Sequence, residues 1–289
     1  MSVSTSDFTL NPVQTGAVLS EIQKVSAFQA ASKLVQLSGS GVILSAITPT
    51  DASWVGEGAK KPVVDNPVTE VTVIAKKLAK AVVWTDEAGS DIPNLEAKLM
   101  EDGIPALARA FDKTAAGEKA APAGFAHLDA SVSTVNISDL STFTDAETPV
   151  GTAGETQFVM NKALFFALKK LTNPLGGRLL DIVKETEITG TIEGVRYYIY
   201  ASDETEPVGY AGPFATEAYW GVIPGSVSVR PITGAYEDES GNVIAMDQYN
   251  MRGFIVEGRF GYAVKEVDNF KVLSANPVAP EAPVEEEEN

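Results

Sequence analysis

Apolar residues recur at helical spacing at Val18, Ile22, Val25 and Phe28, which predicts a helix over about 14–31. The Ser-Gly-Ser-Gly turn at 38–41 ends that element, and the run at 42–48, closed by Pro49, predicts a short strand. Between Val71 and Val83 the pattern supports two readings. Val71, Ile74, Ala75, Leu78, Ala81 and Val82 fit one face of a helix with Lys76, Lys77 and Lys80 opposite. The density of valine and isoleucine, and the alternation over 71–75, favour a strand. Periodicity alone leaves both open. Residues 94–119 predict a long helix striped by Leu95, Leu99, Leu107, Phe111 and Ala115. Pro93 stands at its start, and Gly103 with Pro105 predicts a kink or a break midway.

The stretch 120–155 is rich in Ala, Ser, Thr and Gly and weakly periodic, so loops with one short strand are expected there. A strand at 157–160 follows, then a helix over about 162–171 with Asn161 as its N-cap and "NPLGG" as its stop. "GTIEGVRYYIYAS" reads as a strand with a tyrosine-rich face. "AYWGVIPGSVSVRPI", "NVIAMDQYNMRGFIVEGRFGYAVK" and "FKVLSA" read as further strands, and "YEDESGN" as a hairpin tip. Residues 1–12 read as an extended polar arm and the last 14 as a disordered Pro/Glu tail. Helices early and centrally, with strands dominating the last third, give an α+β class rather than alternating βαβ units.

Composition narrows the chemistry. A 289-residue chain that is 44% hydrophobic buries a real core. It has no cysteine, which removes disulfides, thiolate catalysis and the commoner zinc sites. The formal charge of −17 argues against tight gripping of phosphate backbones. It also makes copies repel, so assembly must rest on apolar and shape contacts. No secretion signal is expected from "MSVSTSDFTL", and no apolar run approaches the ~18 residues of a membrane span. The one histidine, His127, lies in a predicted loop with no partner legible in sequence, so no catalytic or metal role is assigned. No nucleophile elbow and no Walker A motif occurs. Tyr197, Tyr198, Tyr200, Tyr219 and Trp220 are expected to pack in a core or an interface.

One stretch fits no packed element. "WVGEGAKKPVVD", 54–65, is glycine-flanked and charged, and it runs straight into strand-forming sequence. With what surrounds it, the order of segments resembles a tailed-bacteriophage major capsid protein of the HK97-type fold, over roughly residues 10–275. The resemblance rests on "AITPTDASWVGEGAKKPVVDNPVTEVTVIAKKLAKAVVWTDEAGSD", "LEAKLMEDGIPALARAFDKTAAGE", "FVMNKALFFALKKLTNPLGGRLL", "GVRYYIYASD" and "GFIVEGRFGYAVKEVDNFKVL". In that family a Trp-x-x-Glu-Gly stretch opens the extended E-loop, and a spine helix follows the returning strand.

The resemblance implies strand for the ambiguous segment. It implies an N-terminal arm (1–12), a helix and strand of the peripheral domain (13–53), the E-loop (54–75) and the rest of the peripheral domain with its spine helix (76–124). A mainly axial domain (125–220) and return strands (221–275) complete the chain before the tail (276–289). Trp54, Glu57, Lys60, Lys61 and Arg109 are then subunit-interface residues, and Gly103 and Pro105 a hinge. The implied function is structural, with no catalysis, cofactor or metal: pentamers and hexamers close an icosahedral virion shell around double-stranded DNA. Assembly in the host cytoplasm with a separate scaffolding protein, a portal and in some cases a decoration protein is implied, without a membrane. One family branch crosslinks Lys to Asn, which points to Lys60 or Lys61 with Asn242 or Asn250. An encapsulin-like cellular shell of the same fold, or a monomeric binding domain, is the alternative.

Overall fold

The computed structural model describes residues 25–47, 54–55, 57, 60–61, 68–128, 133–149, 154–172, 177–238 and 240–275. The expected arm at 1–12 and the tail at 276–289 lie outside them.

The described chain opens on helix α1 (Ala27–Ala31), strand β1 (Lys33–Gln36) and strand β2 (Gly41–Ile47). Strands β3 (Val68–Ile74) and β4 (Lys76–Thr85), helix α2 (Asp86–Asp91) and the long helix α3 (Leu95–Ala115) follow. Next come β5 (Ser133–Asn136), α4 (Leu140–Glu147), β6 (Gln157–Asn161), α5 (Lys162–Lys170), β7 (Ile182–Lys184), β8 (Thr189–Ile192), β9 (Val195–Tyr200) and β10 (Gly209–Gly212). The chain continues through α6 (Phe214–Glu217), β11 (Ala218–Val222), β12 (Ser228–Pro231), β13 (Ala235–Glu237), β14 (Val243–Ala245), β15 (Met251–Val264) and β16 (Lys271–Ser274).

Two sheets organise these elements. Strand β15 is the axis of a five-stranded sheet: β11 and β12 pair with its two halves on one side and β4 on the other, all antiparallel, and β1 adds parallel to β11. The seven-stranded sheet runs β5-β16-β10-β6-β9-β8-β7. Its central strands β6, β9 and β10 are buried on both faces, and they show it residue by residue. Val159, Tyr198, Tyr200 and Tyr210 enter one core, shared with α1, α3 and the five-stranded sheet. Phe158, Met160, Tyr197, Ile199 and Ala211 enter a second, under α4 and α5. The period-2 alternation of a strand places successive side chains in different cores. The tyrosine-rich segment therefore packs on both faces. Phe28 joins the first core together, with ring centroids 5.6 Å from Tyr200, 5.9 Å from Tyr210 and 6.0 Å from Tyr262.

Several expectations are corrected. Of the helix expected over 14–31, residues 14–24 lie outside the described residues, and Ser26, whose backbone is extended (φ −87°, ψ 118°), interrupts the rest and caps α1. Ser26 Oγ donates to the buried Asp112 carboxylate at 2.5 Å, so a tertiary contact overrides the helical periodicity. The long helix spans 95–115 without a break. Gly103 is buried against Val256: a Cβ there would lie 2.7 Å from Val256 Cγ2. Glycine is present for close packing on β15, and the packed helix carries Pro105 through. The region 120–155 contains α4 as well as β5, and α4 carries a full capping box between Asp139 and Thr142. The single strand expected from "GTIEGVRYYIYAS" is the hairpin β8–β9, turned at Glu193 (φ 49°) and Gly194 (φ 86°). Two successive left-handed residues give the turn that matches strand twist. The segment 71–83 is strand, divided at Ala75, whose N–H donates to Ser40 O at 2.8 Å. The hairpin expected at "YEDESGN" is β13–β14.

Candidate assembly surface

Residues 41–47 and 68–74 build a two-stranded ribbon. Strands β2 and β3 pair antiparallel through seven positions, from Gly41↔Ile74 to Ile47↔Val68. Valine, isoleucine and threonine fill six of the seven positions of β3, and β2 carries Val42, Ile43 and Ile47, which suits a pleated ribbon. Only its base is seated. Val71 and Val73 pack with Leu37 and Ala263, and Val42, Leu44, Ala75, Tyr219 and Ile223 border that cluster. Gly261 of β15 admits the crossing strand, since a Cβ there would lie 2.7 Å from Ile74 O. The face of the ribbon turned away from that cluster carries exposed apolar groups, Ile43 level with Thr72 and Val68 at the far end. Ile43 is 61% and Val68 57% exposed.

The loop beyond the ribbon is described only at Trp54, Val55, Glu57, Lys60 and Lys61, and all five are exposed. Trp54 is 105% exposed, so none of the described residues covers the indole. A solvent-exposed two-stranded ribbon is marginal by itself. A large apolar patch on it marks a surface that another molecule covers.

Helix α3 supplies the second exposed element. Gly103, Leu107, Ala108, Phe111, Asp112 and Ala115 form its buried stripe. On its outer side Asp102 accepts from Arg109 Nη2 at 2.6 Å and from Lys80 Nζ at 2.7 Å. Hydrogen bonds from Lys80 and then Arg109 hold the Asp102 carboxyl below its ordinary range. Arg109 is thereby fixed within the chain, at the surface where α3 meets β4. At the start of α3, Arg252 Nε pairs with Asp86 at 2.6 Å, beside a cleft of about 650 Å³ lined by Trp84, Asp86, Asn94, Met100 and Arg252.

The candidate site residues therefore fall in three places. Trp54, Glu57, Lys60 and Lys61 sit together on the loop, Arg109 lies on the outer flank of α3, and Gly103 and Pro105 lie within α3. Asn242 is on the β13–β14 hairpin, where its backbone N–H and side-chain amide both donate to Asp238. Asn250 is left-handed (φ 48°), and its carbonyl accepts from Asp86 N–H at 2.7 Å. His127 is half-buried in the connection between α3 and β5. Among the described residues no cluster of His, Asp and Glu could hold a metal ion, and no helix is long and apolar enough to cross a membrane. Sequence reading missed the buried Asp112, which depends on burial that spacing does not reveal. It also missed the exposed stripe of α5, Lys162, Phe166, Lys169 and Lys170, which was visible as i, i+4, i+7, i+8 spacing.

Comparison with known proteins supplies the family. The model of the phage capsid family matches residues 7–275. Among curated proteins nothing matches. Among solved structures, a chain from Gordonia phage Cozz superposes with a TM-score of 0.67 at 19% identity, covering 88% of this chain and 87% of that one. A chain from Mycobacterium phage Bobi gives 0.64 at 16% identity, with 88% and 91% covered. A chain of the "Capsid of empty GTA particle computed with C5 symmetry" gives 0.62 at 15% identity, with 95% and 94% covered. The fold is thus shared at identities where sequence alone carries little, and the family match spans most of the chain. The chain belongs to the phage capsid family and is a structural shell protein of HK97-like fold.

Proposed function

We propose that copies of this chain form pentamers and hexamers that close an icosahedral shell around double-stranded DNA. The observation that carries the reading is the ribbon with its fully exposed Trp54, a surface that no described residue of the chain buries. In this reading residues 54–75 are the E-loop lying across a neighbouring subunit. Trp54 anchors it, Glu57, Lys60 and Lys61 pair with charges on adjacent copies, and Arg109 lies at a subunit interface. Helix α3 is the spine of the peripheral domain. Residues 125–220 are mainly axial, and 221–275 return to the peripheral domain. Gly103 and Pro105 are the place where the spine bends as the shell matures. The role is structural rather than catalytic. A separate scaffolding protein, a portal and a decoration protein are the partners, and assembly takes place in the host cytoplasm.

Many overlapping arms make a shell stable although each contact is modest. A buried tryptophan anchor is worth about 2 kcal/mol or more at an interface. Negative-stain electron microscopy with light scattering on the purified chain, alone and with a scaffolding protein, tests the proposal. Shells or free capsomers are expected from the wild type. Trp54→Ala combined with Ile43→Ser is expected to leave a folded monomer with unchanged circular dichroism. A monomer under every condition, scaffold included, would replace this reading with that of a binding domain.

A further inference from the structure

The chain carries 39 acidic and 22 basic residues, and eight of the 21 lysines and arginines among the described residues form ion pairs. Lys77, Lys80, Arg109, Lys113, Arg196, Arg230, Arg252 and Lys265 all form ion pairs. Helix α5 gathers three of the others on one face. Lys162, Lys169 and Lys170 are exposed, and among the described residues none of the three forms an ion pair. They flank Phe166, which is 55% exposed, on the face opposite the buried Leu164, Phe165 and Leu168. Lys169 Nζ stands 5.1 Å from the Phe165 ring centroid, so its charge rests on an aromatic instead of a carboxylate. Lys162 opens the helix, and no acid occupies that first turn. A cation there adds to the positive end of the helix dipole.

The register of the seven-stranded sheet shows which segment lies beside this face. Met160 of β6 and Leu273 of β16 are both paired with Gly209 of β10. Strands β6 and β16 are each antiparallel to β10, so they run in the same direction. Two strand spacings separate them, about 10 Å. Asn161 and Ser274 are therefore level, and Ala275 stands level with Lys162. Ala275 is buried in the same core as Leu164 and Leu168, so the described chain ends on the face of the sheet that α4 and α5 cover. Beyond Ala275 the sequence runs "NPVAPEAPVEEEEN", 14 residues with five glutamates. Fourteen residues reach up to ~45 Å, whereas the nine residues of α5 span ~14 Å.

We propose that the acidic segment 276–289 docks in cis along α5, setting its glutamates against Lys162, Lys169 and Lys170 and its Pro/Val residues against Phe166. Exposed ion pairs are individually weak, but tethering ~10 Å from the target raises the effective concentration to the millimolar range. Such docking neutralises a cluster of unpaired lysines that would otherwise attract phosphate.

Amine acylation of the full chain at low salt, read by mass spectrometry, tests this. Deleting 276–289 is expected to speed acylation of Lys162, Lys169 and Lys170 roughly threefold or more, with Lys33 and Lys184 unchanged. The quadruple variant E285Q/E286Q/E287Q/E288Q is expected to behave as the deletion does, and 1 M NaCl to erase the difference. Carbodiimide is expected to link Glu285–Glu288 to α5 within one chain. Unchanged lysine reactivity on deletion overturns the proposal, as do links to lysines elsewhere. Links between isotope-labelled and unlabelled copies would assign the face to a neighbouring subunit's tail. Protection of the three lysines by a DNA duplex, equal with and without the tail, would make the face a phosphate surface.

Discussion

Asp112 is a carboxylate sealed in the main core, 1% exposed. Ser26 Oγ, Ala27 N and Phe28 N all donate to it, at 2.5, 2.9 and 3.3 Å. It thus fixes the start of α1 on the flank of α3, at the point where the N-terminal segment enters the described fold. Burial pushes its pKa from 3.8 up to about 7, the three donors oppose that rise, and the Glu118 charge adds to it. Tyr200, Tyr210 and Tyr262 complete its surroundings, and burial raises the Tyr200 and Tyr262 hydroxyls. The sign follows from linkage. The folded chain binds this proton more tightly than the unfolded chain does. The contribution to stability is therefore greatest below pH ~4, falls as pH rises to about 7, and is flat above that. Asp112→Asn is expected to lower stability at pH 5 by about 1–3 kcal/mol, because one of the two accepting oxygens among the three donors becomes an NH2 group, and that deficit is expected to shrink by pH 8. It is also expected to flatten the decline between pH 5 and 8. Urea titrations of both proteins at those two pH values check this; equal declines would show that another group carries the proton. The residue was illegible in sequence. Asp112 follows Phe111 in a helix where every other acid is exposed or half-exposed, and only the fold reveals which face it takes.

Among elements, α3 shows where pattern succeeds and where it misleads. Its apolar stripe places it within a few residues at each end, because a 3.6-residue period over twenty-one positions is hard to mimic. Gly103 and Pro105 predict a break by local propensity, yet packing on β15 holds the helix intact. Gly103→Ala separates the two influences. Propensity alone favours alanine by about 1 kcal/mol. The Cβ, 2.7 Å from Val256 Cγ2, must displace a buried side chain, and overpacking of that kind costs about 1–3 kcal/mol. A lower melting temperature is expected, and a higher one would mean that Val256 yields freely. The shorter misses have local causes. Strand β1 is four residues with a mostly exposed pattern, too brief for a period to register. Helix α4 has only Phe143 and Ala146 buried, and its one clear signal was the Asp139-x-x-Thr142 capping box. The segment 71–83 stayed open because β3 and β4 meet end to end with a break only at Ala75. The family's segment order resolved what periodicity could not.

At the scale of the whole molecule, charge and apolar surface oppose each other. Each copy carries −17, and copies in a shell must approach to contact. Like charge of that size slows and weakens association. The exposed Trp54, Ile43 and Val68 supply the attraction. The opposite charges of Glu57 with Lys60 and Lys61 supply local pairing of the kind that salt weakens. The two influences respond to ionic strength in opposite directions. The screening length shortens from about 10 Å at 0.1 M to about 3 Å at 1 M. If repulsion between whole copies dominates, added salt lowers the protein concentration at which light scattering first detects assemblies. If loop ion pairs dominate, added salt raises it. The net charge extends over the whole surface, whereas the described loop offers three charged groups, so a threshold that falls several-fold between 0.1 and 1 M NaCl is expected. A Lys60→Gln/Lys61→Gln variant sharpens the reading, since it removes the pairs and makes each copy more acidic. It is expected to need more salt than the wild type to assemble, and to converge on the wild type once screening is complete. A persistent deficit at high salt would show that the lysines act through contacts that screening does not reach.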